Sequence, residues 1–310
     1  MNRHSNYSLL NNGLVIACFG SGTQGRQSMR LGNAFSIFAL LIVSAGTAMA
    51  QPKCEPDKVA TKYPALAGKT LKIGQDGESA PFSHRDPKNF DHLIGLDADT
   101  ARAVFACAGV KIEFTTGAWA GLIPAAMSGQ IDVMWDTLLY TPERAKRMDF
   151  VAYMNAATGI VVPKGNPKKV KSMDELCGLT GTAGLGTTQE AMLRQASEKC
   201  VAAGKKPVDI ITSTDIPSGM RLVQNSRADV LATNKFLGDM MAAQTPTVEM
   251  AFGVVTGARI AAGTAKGNND LVKAMFDGLT VLRANGELKK IFDANKVDYS
   301  LVTDPEILTK

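Results

Sequence analysis

Arg144 is the residue of this chain best placed to do chemistry. It follows Thr141-Pro142-Glu143, where Thr141 can cap a helix and Pro142 fits the first helical position. A guanidinium in a first helical turn, beside unpaired backbone N–H groups, makes a receptor for a carboxylate, which it can grip with two parallel hydrogen bonds. The competing reading is that Arg144 merely pairs with a neighbouring acid such as Glu143 or Asp149. Other chemistries lack their residues. Beyond residue 50 the histidines are His84 and His92, and no Cys-X-X-Cys spacing, Gly-rich phosphate loop or nucleophile–base pair accompanies them. No metal or cofactor is therefore expected.

The elements that must position Arg144 can be read outward from it. Ile131–Trp135 is a short apolar strand that opens into the polar loop leading to Thr141. Upstream, Leu71-Lys72-Ile73 alternates as a strand, with a turn-rich loop from Gly74 to Pro81. Ala98, Ala101, Phe105 and Ala108 share one helical face before the stop signal Gly109. A strand at Val110–Thr115 and a helix at Leu122–Ser128 complete a β-α-β-α-β series, which argues for a parallel sheet with ligands beyond its carboxyl ends. The alternation resumes after a strand at Ala157–Pro163. Strands at Thr180–Ala183, Val208–Thr212 and Ala228–Ala232 enclose helices at Thr188–Cys200 and Pro217–Gln224. A strand near Ala258–Ala262, a long amphipathic helix at Asn268–Ala284 and a shorter one at Glu287–Ala294 close the chain. Residues 51–69 read as an extended or loosely helical lead-in. Ser128 to Val133 and Asn225 to Val230 echo each other, each leaving a helix and entering a strand through Asp-Val, as two similarly wound lobes would.

Composition sets the frame. The 310 residues suffice for two ordinary cores, and 45% hydrophobic with 20% charged residues is the balance of a soluble globular protein. The formal charge is +5, but residues 1–50 contain Arg3, Arg26 and Arg30 and no acid. The chain beyond Ala50 has 31 basic and 29 acidic residues, a balance that proposes neither nucleic acid nor an anionic membrane as partner. The leader reads as an export signal: Met29-Arg30-Leu31, the apolar run Ala34–Val43, then Ala48-Met49-Ala50 with small residues where a signal peptidase cuts. Cleavage after Ala50 is expected, residues 1–28 are superfluous to the signal, and Met29 is a candidate start. Val15-Ile16-Ala17-Cys18 looks like a lipid-attachment site but follows too short an apolar run. The remaining Cys54, Cys107, Cys177 and Cys200 would meet an oxidising compartment, which favours disulfides. Cys177–Cys200 is the favoured bridge; Cys54–Cys107 stays open, against the alternative of buried thiols.

A set of short motifs ties these elements together. They are Ile73-Gly74-Gln75-Asp76 with Ala80-Pro81-Phe82, Gly95-Leu96-Asp97-Ala98-Asp99, and Trp119-Ala120-Gly121-Leu122-Ile123-Pro124. Gly129-Gln130-Ile131-Asp132-Val133, Thr141-Pro142-Glu143-Arg144, Gly186-Thr187-Thr188-Gln189-Glu190 and Asn285-Gly286-Glu287-Leu288 continue the series. In this order and spacing the chain, from about Leu71 to Val297, resembles the extracytoplasmic solute-binding proteins of polar amino-acid ABC importers, bacterial family 3.

The resemblance implies an α/β fold of two lobes joined by two hinge strands, the type II periplasmic binding protein or Venus flytrap, closing on a ligand. Lobe 1 is placed at 71–159 plus 257–310 and lobe 2 at 160–256, with Thr158-Gly159-Ile160 and Val255-Thr256-Gly257 as hinge candidates. Carried over by position, Arg144 would clamp the ligand's α-carboxylate, with the backbone around Thr137 and Leu138, and with Gly186, Thr187 and Thr188 from the facing lobe. Thr187 and Glu190 also match a capping box, a purely structural role. Trp119 and Phe82 would wall the ligand, although a Trp can equally be core. Asp76 matches an acid that can receive a cationic group. An ABC permease of the inner membrane, a periplasmic location and a monomer are implied as well.

This chain departs from the family pattern in places. Leu139 stands where Ser or Thr is common, and Asn234 where an Asp usually binds the α-ammonium. Asp136 replaces a small residue, so the anion has either moved there or neutralises Arg144, and Ser79 replaces a stacking aromatic. The expectation is a binding protein for an amino acid or amino-acid-like carboxylate. The alternative is an enzyme on the same scaffold, like the periplasmic cyclohexadienyl dehydratases, with Glu78 or Asp136 as general acid.

Overall fold

Leu71 and Ile73 turn their side chains into the core while Thr70 and Lys72 stay exposed, and this alternation becomes the first strand of the sheet. The computed structural model describes residues 52–310, with the backbone alone at Val255 and Thr256. The leader, with Cys18, Met29 and the cut after Ala50, lies outside the described residues. A short helix α1 (Val59–Lys62) between two 3₁₀ turns forms the lead-in, which the Cys54–Cys107 bridge ties down. Strand β1 (Thr70–Gln75) then leads into a small antiparallel sheet of β2 (Glu78–Ser79), β3 (Ser83–Asp86) and β4 (Asn89–Ile94). Helix α2 (Leu96–Ala108) ends at Gly109, which has φ +75°. A Cβ there would stand 2.0 Å from the backbone oxygen of Pro56, so the expected stop is also a point of close approach.

Strand β5 (Lys111–Thr116), helix α3 (Trp119–Ser128) and strand β6 (Val133–Met134) complete the β-α-β-α-β series, with β5 and β6 both parallel to β1. The four-residue helix α4 (Pro142–Ala145) has the expected cap at Thr141, and β7 (Met148–Pro163) comes next. The second winding comprises β8 (Thr180–Gly184), α5 (Thr188–Ala202), β9 (Asp209–Ser213), α6 (Ile216–Gln224) and β10 (Val230–Asn234). Its strands are parallel in the order β10-β8-β9. Helix α7 (Lys235–Gln244) and the long strand β11 (Val248–Ala265) lead back, and α8 (Asn269–Ala284), α9 (Glu287–Ala294) and β12 (Val302–Leu308) finish the chain.

Two long antiparallel strands join the windings. β7 and β11 run side by side from Met148↔Ala265 to Pro163↔Val248. β11 pairs with β6 at one end, through Gly263↔Met134, while β7 pairs with β10 at the other, through Val161↔Leu231. The register shifts between Val255 and Arg259, opposite Asn155–Ala157, so the crossing contains an irregularity. Core residues divide in the same way. Ile73, Phe105, Trp135, Tyr153 and Met275 form one cluster, with Met134, Met148 and Phe150 in another beside the first winding. Ile160, Leu193 and Val230, and then Met220 and Leu231, make the cores of the second. The bridge Cys177–Cys200 fastens α5 within this second lobe.

Candidate functional site

The carboxyl ends of β1 and β6 in one lobe, and of β8, β9 and β10 in the other, open into a single cleft. Arg144 enters it from α4. Thr141 Oγ1 accepts the Arg144 N–H at 3.1 Å, fixing the first turn. The guanidinium donates to the Leu139 carbonyl at 2.7 Å and, across the cleft, to the Gly186 carbonyl at 3.0 Å. It also lies 5.5 Å from the Trp119 ring centroid. Neither competing acid holds it: Glu143 pairs with Lys146, and Asp149 with Lys266. Among the described residues Arg144 has no carboxylate partner. Burial lowers its pKa to about 10, which leaves it cationic at neutral pH.

Acids gather behind the first-lobe wall. Asp76 lines the cleft, accepting from the Glu78 N–H at 2.9 Å and from Ser79 Oγ at 2.6 Å; burial raises its pKa. Asp136 is fully buried instead. Its Oδ2 accepts the Asp76 N–H at 2.8 Å, its carbonyl accepts Trp119 Nε1 at 3.0 Å, and its Oδ1 has no partner. Burial, then the charges of Asp76 and Asp97, push its pKa well above the ordinary value. Asp97 carries a structural duty. It accepts the Thr137 N–H at 2.6 Å and the Tyr153 hydroxyl at 2.7 Å, and Tyr153 in turn accepts from Trp135 Nε1 at 3.1 Å. This fixes Thr137 at φ 46°, a left-handed conformation unusual for a β-branched residue. Burial outweighs those hydrogen bonds and raises the Asp97 pKa to about 7.

The second lobe supplies helix ends. Thr187 Oγ1 accepts the Glu190 N–H at 3.1 Å and donates to the Gly184 carbonyl at 2.7 Å, so its one proton is not available to a carboxylate. The reciprocal half of the capping box falls one residue early, since Glu190 Oε2 accepts the Gly186 N–H at 2.7 Å. Thr188 Oγ1 donates to Gln189 at 3.2 Å. Asn234 Oδ1 accepts the N–H groups of Phe236 at 2.9 Å and Leu237 at 3.4 Å, which makes it the cap of α7.

The cleft thus brings together Asp76, Ser79, Trp119, Thr137, Leu139 and Arg144 with Thr187, Thr188 and Asn234. Four expected residues, Phe82, Leu138, Asp136 and Gly186, do not line it. Phe82 is core, edge-on to Phe236 at 5.8 Å, and Leu138 packs beneath with Gly263 and Met148. Asp136 is walled off; it neither replaces the acid absent at 234 nor neutralises Arg144. Gly186 contributes its carbonyl to Arg144. Of the two acids considered for proton transfer, Asp136 is sealed and Glu78 stands at the open mouth, beside Arg85. Gln189, Thr214 and Asp215 line the cleft without having been singled out from sequence. Asp215 follows a strand and precedes Ile216-Pro217, a capping signal of the same kind as Thr141-Pro142.

Comparison with known proteins agrees with this architecture. The family model of bacterial extracellular solute-binding proteins, family 3, matches residues 71–295. The L-cystine-binding protein of Escherichia coli K12 is 26% identical over 224 residues, 72% of this chain and 80% of that protein. An ancestral arginine-binding protein solved with arginine superposes with a TM-score of 0.67 at 28% identity, covering 74% of this chain and 98% of that one. An ancestral amino-acid-binding protein, a precursor of cyclohexadienyl dehydratase, gives 0.63 at 28% identity, covering 77% and 98%.

Proposed function

We propose, from the premise that this chain belongs to the bacterial extracellular solute-binding proteins of family 3, that it captures an amino acid or amino-acid-like carboxylate between its lobes for an ABC importer. The observation that carries this reading is Arg144: a half-buried cation in the cleft, shared between both lobes, with no carboxylate partner among the described residues. Two of its N–H groups are occupied by carbonyls, and the others can take a carboxylate in charge-assisted bonds. The first-turn N–H groups of Thr188 and Gln189, which no helical carbonyl can reach, would meet the same anion from the second lobe. Trp119 forms the apolar wall.

Closure would turn on the crossing of β7 and β11, with lobe 1 at 71–159 plus 257–310 and lobe 2 at 160–256. The exported form would begin after Ala50, act as a monomer in the periplasm and deliver its cargo to the inner-membrane permease. Among the described residues no helix is long and apolar enough to cross a membrane.

A thermal-shift panel tests the reading. The protein is unfolded and refolded to strip bound solute, then screened with the common amino acids, their decarboxylated amines, and mono- and dicarboxylates. A ligand at about a hundredfold its dissociation constant stabilises the folded state by about 2.7 kcal/mol, a shift of a few degrees. Amino acids should give that shift and decarboxylated amines should not. Stabilisation by the amines alone would overturn the carboxylate clamp.

A further inference from the structure

Capture of an amino acid leaves one charge to be matched, the cationic nitrogen. The position where the family resemblance leads one to expect its acid is Asn234. Both lone pairs of Asn234 Oδ1 are committed to the N–H groups of Phe236 and Leu237, so that amide oxygen is not available to an ammonium. Asp136 is sealed behind the wall. Two carboxylates do line the cleft: Asp76 from the first lobe and Asp215 from the second.

Asp215 stands at the carboxyl end of β9, the edge strand of the second lobe, and caps α6. Its Oδ1 accepts the Ser218 N–H at 2.7 Å and its Oδ2 accepts the Thr214 hydroxyl at 2.8 Å, which leaves each oxygen a further acceptor site. Burial pushes its pKa up, but those hydrogen bonds outweigh it, so Asp215 stays ionised. No ion pair within 4 Å engages it among the described residues; the Arg221 guanidinium, which donates to Ser218 Oγ at 2.9 Å, is near enough for its charge to help lower the Asp215 pKa. The helix that Asp215 caps meets β2, the strand of Glu78 and Ser79, across the cleft. Asp76, Trp119, Thr214 and Asp215 line both the inner cleft and its open mouth, so they form the throat between the two. Glu78 and Arg85 stand at that mouth, with Arg85 bound to the Phe90 carbonyl at 3.1 Å and stacked on the Phe90 ring. Two carboxylates on opposite lobes of one throat repel as the lobes close, unless a cation lies between them.

We propose that Asp215 is the specificity-determining residue of the second lobe, receiving the ligand's cationic nitrogen opposite Asp76. The cargo is then a small carboxylate that also carries an ammonium or guanidinium group. This rests on the capture reading above and extends it to a residue that reading does not use.

The test is calorimetric titration of the stripped full chain and of Asp215→Asn with three probes. Glutamine has the α-ammonium alone, 4-guanidinobutyrate a guanidinium alone, and glutarate neither. Asn is as good a helix cap as Asp, so the variant should melt with the wild type in the absence of solute; Asp215→Ser provides a second capping-competent variant. The wild type should bind glutamine or 4-guanidinobutyrate more tightly than glutarate, and whichever it prefers identifies the nitrogen. Asp215→Asn should weaken that preferred probe by at least about tenfold and should not weaken glutarate, whose second carboxylate Asp215 repels. Undiminished binding of the preferred probe by both variants, or a wild-type preference for glutarate, would overturn the assignment. Failure of the wild type to bind any probe or any common amino acid would instead overturn the capture reading itself, and Asp215's role with it.

Discussion

At the scale of single residues, the site depends on which charges are already matched. Among the described residues Arg144 is committed to two carbonyls and to no acid, while Glu143 and Asp149 pair with Lys146 and Lys266. Asp97 shows how such pairing shapes the cleft, since its carboxylate holds Thr137 in a conformation that residue would not choose. Its pKa of about 7 lies above the value near 3.9 of an unburied aspartate. Between those two values the folded state binds more protons than the unfolded one, so stability falls as pH rises through the window. Asp97→Asn cannot ionise and should escape that loss. The melting-temperature difference between variant and wild type should therefore move in the variant's favour from about pH 5 to about pH 8. A difference constant across that range would contradict the buried, proton-binding state of Asp97. Asp97 is visible in the sequence as part of a family motif, but its partners Thr137 and Tyr153 lie 40 and 56 residues away, and no local pattern announces such a pairing.

Elements were legible where a local rule governed them. Thr141, Pro142 and Gly109 announce their helix ends, and the parallel strands follow from alternation with helices. The β2–β3–β4 sheet was not legible, because Asn89 to His92 are all exposed and leave no buried period to read. Helix α7 has Gly238 in its interior, where a Cβ would come within 2.6 Å of Met250 Cε, so a residue that reads as a breaker is there for packing. Strand β12 contains Pro305 and sits off the main strand path beside β7, where a register shift accommodates it. The middles of β7 and β11 were foreseen and their lengths were not, since a strand crossing between two cores changes its buried face along the way. Thr187 separates capping from binding. With its hydroxyl bonded at the helix end, Thr187→Ala should cost about 1 kcal/mol of stability, a melting shift of about 2–4 °C for a protein of this size. The ligand's dissociation constant should stay nearly unchanged. A large loss of affinity without a loss of stability would assign the hydroxyl to the ligand instead.

For the whole molecule, the two windings gain a shared purpose from the groups that meet between them. The first lobe offers Arg144, Trp119 and Asp76; the second offers the start of α5, together with Asn234 and Asp215. The guanidinium already reaches the Gly186 carbonyl of the facing lobe, so a carboxylate bound there would touch both lobes and favour their closed arrangement. A ligand can shift that arrangement only by what it gains on closure, and Arg144 is the group through which most of that gain would pass. The decisive measurement is calorimetric titration of the stripped protein and of Arg144→Ala with the amino acid that gives the largest thermal shift. The variant should fold, melt close to the wild type without solute, and lose about 3 kcal/mol of binding, roughly a hundredfold or more in affinity. A well-folded Arg144→Ala protein that binds the same amino acid as tightly as the wild type would contradict the carboxylate clamp.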